Sequence, residues 1–169
     1  MKILNMNVAP ANLIRFFVLV ILYVLLGNIP QIQQNPVISD ATLAVNMIVI
    51  VIAGILYGRN IGLTVGLFGT FFNALSPAGN AFEFAAIVPH AIMGWASGLL
   101  KENTNSFWAS LAIVLGHLLN IIIFLFAGLV TLSGIDNSFW YGLAFEAILG
   151  VISINLIVFI YRLICGKKN

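Results

Sequence analysis

The chain has 169 residues, 62% of them hydrophobic and only 7% charged, with seven Lys and Arg against five Asp and Glu. A soluble domain carries about 25% charged residues, so this composition argues against a water-soluble fold and leaves no room for a separate soluble domain. The net charge of +2 is small and gives no indication of a nucleic-acid partner.

Six apolar segments can be marked in chain order, at residues 12–26, 41–57, 61–75, 82–100, 107–132 and 139–164. A helix needs about 20 apolar residues to cross the hydrocarbon. The last two segments exceed that and should tilt, while the first three are short. Lys2 and Arg15 open the first segment, and Arg15 is expected to snorkel to the interface. Arg59 separates the second from the third, Lys101 the fourth from the fifth, and Arg162, Lys167 and Lys168 close the sixth. Threaded as six spans, all seven basic residues fall on one side, and the opposite side holds Asp40, Asp136 and, at a helix mouth, Glu83. The positive-inside rule then places both termini in the cytoplasm. The expected fold class is an all-α integral membrane protein, a compact bundle of six helices forming one domain over 1–169.

The first segment is expected to be retained, because Leu25-Leu26-Gly27-Asn28 is a poor cleavage site for a signal peptide. The longest external connection, residues 27–40, contains Pro30, Pro36, Ile29 and Ile32. Its length and composition suggest a lid over residues 28–39. Cys165 is the only cysteine and reads as a small residue at the inner membrane edge.

Glycine recurs every fourth residue at Gly54, Gly58, Gly62 and Gly66, continues at Gly69, and returns at Gly94 and Gly98. Helices in lipid associate through close backbone approach over small residues. These faces predict tight crossings, either with one another or with a partner subunit.

The run from Gly54 to Asn73 resembles the second-to-third helix hairpin of substrate-binding subunits of energy-coupling factor (ECF) transporters. Pro89-His90-Ala91-Ile92-Met93-Gly94-Trp95-Ala96-Ser97-Gly98 resembles their fourth helix. The resemblance implies a subunit that captures a vitamin or cofactor precursor from outside. It further implies partners, a transmembrane coupling subunit and two ATPase subunits, and a place in a prokaryotic cytoplasmic membrane. Glu83-Phe84 is similar to a pair in thiamine-binding members, which points to a cationic or amine-bearing heteroaromatic substrate. Two positions depart from the family pattern. Ala9 and Ala11 stand at the very start of the first helix where an Ala-x-x-x-Ala docking face often lies further in, and Asn73 stands where an acidic residue often ends the third helix. A membrane scaffold of the cell-shape machinery, of the MreD type and without a transported ligand, is the alternative.

Ionisable side chains inside a membrane are costly and by default mark function. Glu83 and His90 lie seven residues apart on one helical face, His117 and Asn120 share another, and Glu146 sits about two turns inside the mouth of the last segment. Phe84, Trp140 and Tyr141 cluster at the same mouth, where aromatic rings could stack on a cationic ring. Expected substrate contacts are therefore Glu83, Phe84, His90, His117, Asn120, Trp140, Tyr141 and Glu146. No catalytic or Walker motif occurs in the sequence, so no enzymatic activity, bound cofactor or metal is expected, and any ATPase must come from a partner.

Overall fold

The structure, a computed structural model, describes residues 10–29, 43–99 and 106–165, with the side chains of 106–110 excepted. Among these residues it is all-helical. The helices are α1 (Pro10–Gly27), α2 (Met47–Tyr57), α3 (Arg59–Ala74), α4 (Ala81–Gly98), α5 (Ser106–Phe126) and α6 (Asn137–Cys165), with a short 3-10 turn at Leu132–Gly134 before α6. Each helix falls on one of the six apolar segments. The lid expected at 28–39 lies largely outside the described residues, as do Asp40, Lys2, Lys101, Lys167 and Lys168.

Two helix ends differ from expectation. The second segment starts as helix at Met47 rather than near 41, because 43–46 form a turn whose backbone bonds run locally, with Val45 N–H to the Leu43 carbonyl and Met47 N–H to that of Ala44. The fifth helix stops at Phe126, six residues short of the apolar run's end. Gly128 adopts φ +68°, the left-handed conformation that glycine adopts most readily. Leu129 N–H then bonds back to the Phe124 carbonyl and Gly128 N–H to that of Leu125. This is a Schellman stop, and apolar content alone does not reveal it. The start of α6 is set by Asp136, which accepts from Ser138 Oγ at 2.6 Å and Phe139 N–H at 3.0 Å. These bonds, the Ser138 hydroxyl first, hold its carboxyl below the usual carboxylate range.

The most apolar helix is at the centre. Eight of the eleven residues of α2 are buried, including Val49, Ile50, Val51 and Ala53, as expected of a helix that is hydrophobic all round. It touches each of the other five, while α1, α3, α4, α5 and α6 follow one another around it. Outer faces are apolar too: Phe17, Val18 and Ile21 on α1 and Ile152, Leu156 and Phe159 on α6 are more than half exposed. Helices α1 and α6 are long and apolar enough to cross a membrane.

Glycine makes the inner crossings. Gly58 alone joins α2 to α3 at φ 92°, its N–H bonding the Gly54 carbonyl. Where α3 crosses α4, a Cβ on Gly62 would collide with the Gly94 carbonyl, and one on Gly94 with that of Gly62. Gly54 packs against Gly94 and Ser97, Gly66 against the His90 carbonyl, and Gly98 against Arg59. Of the two crossings the glycine faces allow, the one within the chain is seen among the described residues.

The ends of the bundle differ in charge. Arg15 lies over the Tyr57 ring at 4.9 Å, Tyr57 meets Tyr161 edge-on, and Arg59 meets Gly98. The three described arginines, Arg162 in the last turn of α6 included, thus share one end. Glu83, in the first turn of α4, and Asp136, just ahead of α6, belong to the other end.

The α3–α4 crossing yields a direct test. Alanine is intrinsically a better helix former than glycine by about 1 kcal/mol, yet at Gly62 it would drive a methyl into backbone that cannot rotate away. Gly62→Ala should destabilise by at least about 1–3 kcal/mol, read as a lower melting temperature in detergent. Gly134→Ala, whose nearest neighbour would be the Thr131 hydroxyl at 3.5 Å, should stay within about 0.5 kcal/mol of wild type.

Candidate functional site

A chain of polar side chains runs through the interior, beginning where α1 meets α3. Gly69 leaves space for the Tyr23 ring, whose Cγ would be 3.0 Å from a Cβ at that position. This admits the fully buried Tyr23 to the α3 face carrying Thr70. Thr70 Oγ1 donates to Tyr23 Oη at 3.1 Å and lies 2.9 Å from His90 Nδ1. Tyr23 Oη is itself 3.0 Å from the same nitrogen. On the other side of the imidazole, Asn120 Nδ2 of α5 is 3.3 Å from His90 Nε2. Side chains from three helices thus converge on one histidine of a fourth.

The proton positions follow from the partners. With Asn120 donating to Nε2, His90 carries its proton on Nδ1 and gives it to Thr70, which donates onward to Tyr23. Turning the Asn120 amide over reverses the sense: Tyr23 then donates to Nδ1, and Nε2–H donates to the amide oxygen. Either way one atom of the Asn120 amide is left over. In the orientation observed it is Oδ1, buried and unpartnered.

Toward the acidic end the polar chain continues. Asn28 Nδ2 donates to the Val24 carbonyl at 2.8 Å, Ser76 Oγ at 3.0 Å and Asn73 Oδ1 at 3.2 Å, and its Oδ1 accepts from Ala78 N–H. The buried Asn73 lies beside the Glu83 carboxylate. Asn80 caps α4, accepting from Phe82 N–H at 2.9 Å and Glu83 N–H at 3.1 Å, which fixes Glu83 at the helix mouth. Glu83 Oε2 is buried with no partner among the described residues.

Glu146 stands at a different place. Its Oε1 accepts from Ala44 N–H at 2.6 Å, tying the turn before α2 to α6. Beside it is a cavity of about 20 Å³ lined by apolar side chains and by His117, whose Nε2 is likewise buried and unpartnered. A cavity of this size holds about one water molecule.

Of the eight expected contact residues, the structure joins His90 to Asn120 directly and His117 to Glu146 across the cavity. His117 and Asn120 lie three residues apart on α5, and Glu83 faces inward at the mouth. Phe84 is 48% exposed, Trp140 46% and Tyr141 67%, so these three lie on the outer surface, with Trp140 edge-on to Phe139. Sequence reading missed Tyr23 and Thr70 as members of the cluster. Thr70 could have been found from its place between Gly66 and Asn73, one turn from each on the small-residue face of α3. Tyr23 stood out only as the single hydroxyl in a helix whose other polar side chains, Asn12 and Arg15, lie near its start.

No protein-family model matches the chain, and neither does any curated protein or solved structure.

Three unpartnered buried atoms, Glu83 Oε2, His117 Nε2 and Asn120 Oδ1, each cost about 1–3 kcal/mol if nothing satisfies them. The Tyr23–Thr70–His90 bonds are the satisfied part, and Thr70→Val should cut into it. The variant keeps the side-chain shape but removes both Thr70 bonds and leaves Tyr23 Oη and His90 Nδ1 only each other, lowering stability by about 1 kcal/mol in denaturant or thermal melts. Thr64→Val removes a hydroxyl that only bonds the Asn60 and Ile61 carbonyls of its own helix, and should be nearly silent.

Proposed function

We propose that the chain is a six-span membrane subunit that captures a small cofactor precursor at its acidic, outward end. Uptake would be energised by ATPases in a partner complex, as in ECF-type transporters. The observation that carries this reading is the trio of buried polar atoms without partners among the described residues, Glu83 Oε2 at the mouth of α4 and His117 Nε2 and Asn120 Oδ1 midway along α5, inside a bundle whose perimeter is apolar. Native proteins rarely bury polar atoms unsatisfied. Atoms left in this way are expected of a site awaiting hydrogen bonds from a ligand. The charge polarity supports the orientation, because arginine-bearing ends face the cytoplasm. Both termini then lie inside, and Glu83 faces outward.

Chemistry narrows the ligand. Glu83 Oε2 and Asn120 Oδ1 are acceptors, and the acidic end has no described basic side chain to attract a polyanion. A cationic or amine-bearing heteroaromatic molecule of the thiamine kind fits such acceptors. The cavity beside Glu146 is far smaller than the roughly 300–1,000 Å³ of ordinary ligand pockets.

Native mass spectrometry of the gently solubilised protein tests the proposal. The expected result is an adduct of a few hundred daltons in the wild type that is lost in Glu83→Gln, with the variant still inserted and folded. A wild type that carries no adduct, and binds none when offered thiamine-like cations, contradicts capture and favours the scaffold of the cell-shape machinery.

A further inference from the structure

The cavity between the turn before α2, α5 and α6 has a chemistry of its own. Its lining residues include Leu43, Ile48, Ile113 and Leu149 together with Glu146 and His117. One carboxylate oxygen holds Ala44 N–H. His117 is 7% exposed, and its Nε2 has no partner among the described residues. With the proton on Nδ1, Nε2 offers a lone pair. The cavity thus pairs a carboxylate with an imidazole acceptor.

Glu146 meets no basic side chain among the described residues. The nearest described basic residue on its own helix is Arg162, sixteen residues away, or about 24 Å at the helical rise. Arg15 and Arg59 share that far end. A guest that satisfies the site should therefore be positive, about the size of water, and a donor of hydrogen bonds in two directions. Alkali and alkaline-earth ions do not meet that description, since calcium, for example, takes six to eight oxygen ligands. A transition-metal ion is not favoured either, because no group of three or more His, Cys, Asp or Glu side chains comes together among the described residues. An ammonium group does, because it is small and each N–H can meet a separate acceptor.

We infer that this cavity binds an ammonium group between the Glu146 carboxylate and His117 Nε2, either as the free ion or as the end of a primary amine. The site takes from the capture reading only the membrane setting, and accepts its guest whether or not a larger molecule is held near Glu83.

The test is thermal unfolding of the full chain in detergent micelles, with ammonium, methylammonium, ethanolamine and potassium chlorides titrated at constant ionic strength. Ammonium should raise the melting temperature along a saturating curve, while potassium should not. The apparent affinity should fall at least tenfold in Glu146→Gln, whose amide oxygen can still accept from Ala44, and likewise in His117→Gln. If either variant fails to fold, the other supplies the reading. A response to ammonium alone assigns the free ion, and an equal response to ethanolamine assigns an amine terminus. An equal rise with potassium, an undiminished response in both variants, or no response to any of the amines overturns the site. Capture at Glu83 is read by a different variant and a different mass, so the two can fail separately.

Discussion

The contact on which the rest of the structure depends is the backbone crossing of α3 and α4 at Gly62 and Gly94. Neither residue has a side chain, and the space a Cβ would fill on each belongs to the other's carbonyl. Four residues along each helix the same approach sets Gly66 against the His90 carbonyl. At that separation, and only there, the imidazole of His90 reaches Thr70 on the neighbouring helix at 2.9 Å. Packing and polar chemistry are thus coupled. The glycines set the distance between helices, and the distance decides which side chains can bond.

Polar side chains are buried among the apolar ones of the interior. Asn46, Thr70, Asn73, His90, Ser97, His117 and Asn120 are all buried, while Phe17, Ile152 and Leu163 face outward. In hydrocarbon an apolar perimeter costs nothing, and interhelical hydrogen bonds contribute about 0.6 kcal/mol each on average. The bonded part of the cluster, from Tyr23 to Asn120, is a reasonable structural core on those terms. Glu83 Oε2, His117 Nε2 and Asn120 Oδ1 do not fit that role, because they gain nothing from burial. That asymmetry is the reason to read part of the polar interior as a site.

Much of this was legible in the sequence. Hydrophobic runs and the one-sided basic residues marked the six helices and both ends, since helix content and charge polarity follow from local composition. Glycine spacing marked the crossings, but not that α2, α3 and α4 would satisfy one another. Whether a small-residue face meets its own chain or another depends on tertiary arrangement. The end of α5 was missed because Ala127–Leu132 is as apolar as a span, and a single left-handed glycine outweighs it. Ionisable residues were found because they are conspicuous in an apolar chain. Uncharged Tyr23 and Thr70 were not, although they hold His90. Aromatic residues beside carboxylates were read as one mouth, whereas Phe84, Trp140 and Tyr141 turn outward. Adjacency in sequence says little about which face of a helix looks inward.

All of the functional reading requires a membrane with the acidic end outside, and cysteine accessibility tests that most directly. Cys165 is the only cysteine in the sequence and is exposed at the end of α6. Ser133, between α5 and α6, is exposed near the opposite end. In intact cells a membrane-impermeant maleimide should label Ser133→Cys in a Cys165→Ser background. It should label Cys165 of the wild type only after permeabilisation. Labelling of both from the same side, or Cys165 from outside and the new cysteine from within, would contradict the account.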